Sequence, residues 1–300
     1  MSSKTGFFKG KGGVNLYFEE VGSGIPIIFC HEFAGDIRSW EPQVRYFSHH
    51  FRVITFNARG YPPSDVPQDA SCYSLDIAVA DVLALLDHLQ IEKAHVVGFS
   101  MGSFTSLFFA MRHPDRALSA TPVCCGYGAE KGWDEIHKRN FNEFADALEN
   151  DETADAASDR YSNGATRVQF KLKDPRGWQE FADQFRSLSR VGRALTLRHV
   201  VAARPTVLDF AEEFREMTVP VLLITGDEDE QTLMPGVFMK KNIPTCGFCV
   251  LPRVGHTIQL EEPGLFNNML YNFFTAVGLG KWTARDHRTM ETDKYLAPTS

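Results

Sequence analysis

Between Phe51 and Val97 the chain passes from one short apolar run, Phe51 to Phe56, through a helical stripe to another, Ala94 to Val97. Leu75, Val79, Val82, Leu86 and Leu89 recur at spacings of four and three, which puts them on one helix face. Strand, helix, strand at these lengths is a βαβ unit, and its crossover makes the two strands parallel. A third run, Pro26 to Cys30, has the same β-branched and aromatic character and ends in polar residues, as strands covered on both faces do. The fold class that follows is α/β, a mostly parallel central sheet with helices on both faces. The earlier run Val14 to Val21 predicts an antiparallel edge strand.

Beyond a further strand at Ala120 to Cys124 the pattern changes. From Tyr127 to Met217 it is helical, with Trp178, Phe181, Phe185 and Leu188 forming another stripe, and no strand run interrupts it. The polar stretch Glu149 to Asn163 reads as loop. Strand runs return at Val219 to Thr225 and Phe248 to Leu251, and a last helix is expected to open at Glu261-Glu262-Pro263, where acids and a proline suit the first turn. The expected organisation is a core of residues 1–126 and 218–280, a helical cap inserted at 127–217, and a loosely held polar tail at 281–300.

The 31 basic and 38 acidic residues give a net charge of −7 without long single-sign runs, which argues against nucleic acid or an anionic membrane as partner. Apolar runs such as Val219 to Ile224 are far shorter than the roughly 20 residues a membrane span needs. No apolar segment follows Met1 in the manner of a secretory signal, so a cytoplasmic setting is expected. Cys246 and Cys249 have redox spacing but lie in a strand-like run, so they and the other cysteines read as small buried hydrophobes. No second Cys or His pair completes a zinc set, and no metal is expected.

Gly98-Phe99-Ser100-Met101-Gly102 matches G-x-S-x-G. Chance supplies about 0.1 such match in a chain this long, so context decides its meaning. Here a strand precedes it and Ser103 to Met111 reads as helix, the setting in which a sharp turn exposes a nucleophilic serine. Such a serine needs a base, and the base an orienting carboxylate. Gly226-Asp227-Glu228-Asp229 ends a buried strand run, and Gly255-His256 follows the next one. Both would emerge at the sheet edge where Ser100 lies.

In that order of serine, acid and histidine the chain resembles the α/β-hydrolase fold family, in its esterase-like branch with a helical cap, from about Val14 to Gly278. The resemblance selects Asp229 over Asp227 as the acid through the family's Gly-x-x-Asp, and matches Gly255-His256 with Leu260-Glu261-Glu262-Pro263 to the histidine loop and last helix. It implies an oxyanion hole from the backbone N–H groups of Phe33 and Met101, since His31-Glu32-Phe33 stands where the family carries His-Gly-x. Glu32 departs from that pattern, and its carboxylate is expected to point into solvent. Arg59, Gly60 and Ser64 match a segment that is structural in the family, with Asn57 standing in place of its acid and Pro63 in place of its second glycine. Ser100 separates the chain from the dehalogenases and epoxide hydrolases of this fold, which carry Asp at the elbow.

The resemblance implies a cofactor-free hydrolase of a small-molecule carboxylic ester: Ser100 attacks, His256 moves the proton and Asp229 orients it. Hydrolysis of a carbon–carbon bond in a diketone-like substrate is the alternative on the same triad. Arg186, Arg190, Arg193, Arg198 and Arg204 of the cap would then be candidates to bind a substrate carboxylate. A ligand-binding receptor that keeps the triad is a third reading, and elbows of this sequence also resemble cofactor-free haloperoxidases. Self-association is left open.

Overall fold

The computed structural model describes residues 3–129 and 134–290. Eight strands form one sheet: β1 (Ser3–Lys9), β2 (Asn15–Gly22), β3 (Pro26–Cys30), β4 (Arg52–Phe56), β5 (Ala94–Phe99), β6 (Ala117–Val123), β7 (Val221–Gly226) and β8 (Cys246–Leu251). Their spatial order is β1-β2-β4-β3-β5-β6-β7-β8. All pairings from β4 to β8 are parallel, while β1 with β2 and β2 with β4 are antiparallel. This is the α/β-hydrolase fold.

Alternation along β5 shows how the sheet is covered. Ala94 and Val96 face one apolar layer, and Val97 and Phe99 face the other, as the two-residue period of a strand requires. The first layer holds Leu75, Val79, Val82 and Leu86 of α2 (Leu75–His88, after α1 at Glu41–Phe47) and Phe104, Leu107 and Phe108 of α3 (Met101–Arg112). The second is formed by Trp40, Phe47 and the last long helix, which supplies Phe266, Leu270, Phe273 and Phe274. At about 1.5–3 kcal/mol for each large side chain buried, these two layers dominate the stability of the sheet.

Between β6 and β7 the described residues are helical: α4 (Asp134–Glu149), α5 (Ala154–Ser162), α6 (Val168–Lys173), α7 (Pro175–Ser187), α8 (Arg190–Thr196), a π-helical turn at Leu197–Ala202 and α9 (Ala211–Arg215). α10 (Glu230–Asn242) follows β7, and α11 (Ile258–Glu261), a single turn, and α12 (Pro263–Gly278) follow β8. A third apolar cluster joins Trp178, Phe181 and Phe185 of α7 to Phe33, Tyr61 and Met101 at the C-terminal ends of the strands. The aromatic stripe of the inserted segment therefore packs directly on the loops that follow β3 and β5. Among the described residues no helix is long and apolar enough to cross a membrane.

Three expectations are corrected. β2 is antiparallel but not an edge, because Ser3–Lys9 pairs outside it. Residues 149–163 are not loop: α5 buries Ala154, Ala157, Ser158 and Ser162, a face of small residues that apolar periodicity does not register. The tail is not loose at its start, since Trp282 packs at 4.6 Å on Phe273 and donates Nε1–H to the Thr245 carbonyl at 2.7 Å. Its residues 291–300 lie outside the described ones.

The loop after β4 is held by a buried ion pair, Arg59 Nη2 to Asp81 Oδ1 at 2.7 Å and Nε to Oδ2 at 2.9 Å. Arg59 also donates to the carbonyls of Lys11 and Cys72. Asp81→Ala leaves the guanidinium buried without an anion, and the expected loss is about 3–5 kcal/mol in denaturant unfolding. A loss below about 1 kcal/mol would mean that the carbonyl contacts suffice.

Candidate active site

β5 hands over to α3 in a single residue. Ser100 has φ +53° and ψ −107°, a region that non-glycine residues seldom occupy, and its N–H donates to the Val123 carbonyl at 2.9 Å. The turn is tight enough that a Cβ on Gly98 would lie 1.9 Å from the Gly102 carbonyl oxygen. A Cβ on Gly102 would lie 2.2 Å from the carbonyl oxygen of Cys30 at the end of β3. Glycine at both positions lets the strand, the helix start and the neighbouring strand close together.

The three residues that sequence reasoning ordered at strand ends meet in space. His256 Nε2 is 2.9 Å from Ser100 Oγ, and His256 Nδ1 is 2.7 Å from Asp229 Oδ2. Asp229 is fully buried. Burial alone would raise its carboxyl, but the His256 charge and hydrogen bond, helped by Cys124 and Thr232, outweigh that and hold it below the usual range. An ionised carboxylate only accepts, so Nδ1 carries the imidazole proton and Nε2 is free to accept from Ser100. Asp227 instead accepts the Val254 N–H at 3.2 Å. Cys124 Sγ lies within 4.8 Å of the Asp229 and His256 ligand atoms. Burial pushes its thiol well up, which suits a neutral S–H donor, here to the His256 carbonyl at 3.2 Å, rather than a metal-binding thiolate.

Phe33 and Met101 line the same cavity as Ser100 and His256. His31 fixes the peptide between Glu32 and Phe33: its Nδ1–H donates to the Glu32 carbonyl at 2.7 Å, while Nε2 accepts the Ala58 N–H at 3.0 Å. In a trans peptide N–H and C=O point in opposite directions, so the Phe33 N–H is turned away from His31. Among the described residues, neither it nor the Met101 N–H has a protein acceptor. The cavity holds about 120 Å³, with Tyr127, Phe144, Leu197 and Arg204 completing its walls. A groove of about 700 Å³ continues from it through Phe141, Phe144, Tyr161 and Thr166 to the surface.

Residues 25–263 match the family model described as the alpha/beta hydrolase fold. The chain belongs to that family. It is 29% identical over 252 residues to 3-oxoadipate enol-lactonase 1 of Acinetobacter baylyi (strain ATCC 33305 / BD413 / ADP1), across 84% of this chain and 89% of that one. The enol-lactonase from Burkholderia xenovorans LB400 shares the fold at a TM-score of 0.78 and 24% identity, over 90% of this chain and 100% of that one. A thermophilic esterase from Thermogutta terrifontis does so at 0.77 and 21%, over 91% and 99%.

One expectation about this α/β-hydrolase site is overturned. Glu32 does not reach solvent: it is fully buried and accepts from Arg167 Nη2 at 2.6 Å. The preceding loop had to turn inward because Phe33 and Ala34 are themselves core residues under the inserted helices. The candidate arginines also separate. Arg186 pairs with Asp159 and Asp183, Arg190 with Asp151, and Arg198 with Asp146 and Glu149, all within the inserted segment. Arg193 is buried on the Phe185 ring and donates to Ser158 Oγ and the Phe185 carbonyl. Arg204 alone of the five lines the cavity. Arg167 and the tyrosines Tyr127 and Tyr161 were invisible to sequence reasoning, since no motif surrounds them.

Asp229→Asn should slow labelling of Ser100 by a fluorophosphonate probe by about 10⁴, because the amide favours the wrong imidazole tautomer. Asp227→Asn should label at nearly the wild-type rate; the reverse ranking would move the orienting role to Asp227.

Proposed function

We propose that the protein hydrolyses a small-molecule carboxylic ester through an acyl-enzyme on Ser100. The observation that carries this reading is the continuous hydrogen-bonded chain from Asp229 through His256 to Ser100 Oγ, opening on a cavity lined by Phe33 and Met101. Ser100 Oγ attacks the ester carbonyl while His256 Nε2 takes its proton. The negative charge that develops on the carbonyl oxygen is received by the N–H groups of Phe33 and Met101, donors that lose little in reorganising. The tetrahedral intermediate collapses, and the imidazolium returns the proton to the departing alkoxide. Water then enters, gives its proton to His256 and attacks the acyl carbon; Ser100 leaves with the proton. Every step uses the chain's own groups, and no cofactor or metal is needed.

The cavity is of the order that accommodates one benzene-sized group. A larger substrate therefore extends along the groove toward Phe141 and Tyr161. In this reading the inserted helices are a cap that forms the substrate's roof, and the partner is a small molecule rather than nucleic acid or membrane.

A single fluorophosphonate adduct should map to Ser100 and vanish in Ser100→Ala, with turnover of a simple ester reduced by about 10⁴ to 10⁶. An adduct elsewhere would sink the reading. Because Asp229 is held below the usual carboxylate range, it stays ionised at neutral pH and keeps an acceptor in place for the Nδ1–H of His256.

Arg204 favours a second reading, a carboxylate-bearing substrate such as a lactone acid or a diketone acid. Its guanidinium lies 3.9 Å over the Phe104 ring and donates to the Tyr127 carbonyl at 2.9 Å. Among the described residues it has no carboxylate partner, and burial pushes it down to about 10, so it remains a cation at neutral pH. The relative from Acinetobacter baylyi is named for a 3-oxoadipate enol-lactone, which agrees with this reading. Arg204→Gln should cost a carboxylate-bearing substrate about 10-fold or more in kcat/KM, equivalent to 1.4 kcal/mol, and a neutral ester little. Equal losses would remove the carboxylate reading and leave the simple ester.

A further inference from the structure

Two ions at the site take no part in the steps above. Glu32 and Arg167 are sealed from solvent, their side chains exposed by 0% and 1%, and they come from opposite halves of the fold. The Arg167 guanidinium makes three hydrogen bonds from its two terminal nitrogens, while its Nε and the second oxygen of Glu32 have no partner among the described residues. Nη2 donates to Glu32 Oε2 at 2.6 Å and to the Tyr161 hydroxyl at 3.0 Å, and Nη1 donates to Thr257 Oγ1. Its faces lie 4.8 Å from the Phe181 ring centre and 5.3 Å from that of Tyr161. The residue before it reaches the same place, since the Thr166 carbonyl accepts the His256 N–H at 2.9 Å.

One side chain of the inserted segment thus touches the residue before Phe33, the residue after His256 and a wall of the cavity. Stability does not explain this. Taking two ions out of water costs several kcal/mol each, and an apolar pair of similar volume often serves as well. What a planar guanidinium supplies instead is direction, because its donors leave at fixed angles. Glu32 is gripped at both ends: His31 holds its carbonyl, and Arg167 holds its carboxylate. The peptide plane that carries the Phe33 N–H is therefore set from two sides, and the same guanidinium bears on Thr257 beside the base.

We propose that the Glu32–Arg167 pair is a positioning clamp: it sets the Phe33 N–H and the His256 ring in register for the charged intermediate, with Gly164–Arg167 of the cap as its outer jaw. The clamp rests on the reading of Ser100 as nucleophile. Glu32 and Arg167 touch no reacting atom and act only through Phe33 and His256. The cap is then part of the reacting geometry, so its docking and the assembly of the oxyanion donors are one event.

The test compares Glu32→Gln, Arg167→Lys, Thr257→Val and Thr257→Ser on a small neutral ester, with kcat expressed per Ser100 titrated by a fluorophosphonate probe. A clamp predicts that Glu32→Gln and Arg167→Lys lower kcat by about 10-fold to 100-fold, the scale of an ångström-sized misplacement. KM should stay within about 3-fold, because the lost interaction acts in the transition state rather than on bound substrate. Thr257→Val should lose kcat and Thr257→Ser should keep it, since only the hydroxyl meets Arg167. Losses in the Glu32→Gln/Arg167→Lys double variant should fall short of the product of the singles. Should the charged-residue variants fail to fold, the Thr257 pair, which differs by one hydroxyl contact, carries the test alone. Unchanged kcat per titrated site with a lowered Tm, or equal kcat for Thr257→Val and Thr257→Ser, would overturn the clamp and leave a structural ion pair. Absence of wild-type labelling at Ser100 would instead remove the nucleophile reading beneath it.

Discussion

The backbone turn at Ser100 is the constraint on which the rest of the site depends. A non-glycine residue at φ +53° costs of order 1–3 kcal/mol and persists only where the surroundings fix it. Here β5 on one side and α3 on the other do so, and the absence of a Cβ at Gly102 lets α3 come down against Cys30 and His31. That contact has a second effect. It brings the N-terminus of α3, where the Met101 N–H has no acceptor among the described residues, against the loop that carries Phe33 out of β3. The serine's strain and the nearness of Met101 to Phe33, whose N–H groups are the oxyanion donors of the proposed mechanism, therefore have one origin, the close approach of a helix start to the neighbouring strand. The partial positive charge of a helix N-terminus adds to the field at that point.

In the proposed mechanism the strained serine needs a base held in one tautomer, and this depends on keeping a carboxylate ionised inside the protein. Asp229 is sealed off, and its burial opposes ionisation; the His256 charge and hydrogen bond reverse the balance. The loops after β7 and β8 are locked together around this pair, with Asp227 accepting from Val254 and Glu228 donating its N–H to the Val254 carbonyl. Cys124 at the end of β6 closes the remaining side. Four adjacent parallel strands, β5 to β8, thus each deliver one part at the same edge, which is what a parallel sheet makes available and an antiparallel one does not.

Much of this was legible because it is local. β3, β4, β5 and α2 follow from apolar runs and spacing, the elbow from five consecutive residues, and the acid and base from residues just past strand ends. What was not legible depends on partners distant in sequence. β1 has a single fully buried apolar residue, Phe8, with Phe7 exposed, and is a strand only because β2 offers its edge. α5 presents alanines and serines to its neighbours, so its face carries no hydrophobic signal. Glu32 looked like a surface acid because the residue that neutralises it lies 135 positions away, at the end of a polar stretch in the inserted segment.

The arginines of that segment make the same point in energetic terms. Residue type alone did not separate them, yet their surroundings assign four distinct states. Arg186, Arg190 and Arg198 are neutralised near solvent by acids of the same inserted segment, mostly on neighbouring elements, where such pairs contribute little. Arg193 is dissolved in backbone carbonyl and hydroxyl acceptors, and Arg167 in a buried pair. Arg204 has a ring face and one carbonyl, and its depressed value records a desolvation that no anion offsets. Linkage then runs in one direction. A carboxylate arriving beside Arg204 would favour its charged form and raise it again, so the free-energy cost already spent in burying the cation returns as affinity for an anion. Glu32 is matched by Arg167, whereas Arg204, among the described residues that wall the cavity, has no acidic partner, so the carboxylate-bearing substrate proposed above would meet a cation that is already desolvated.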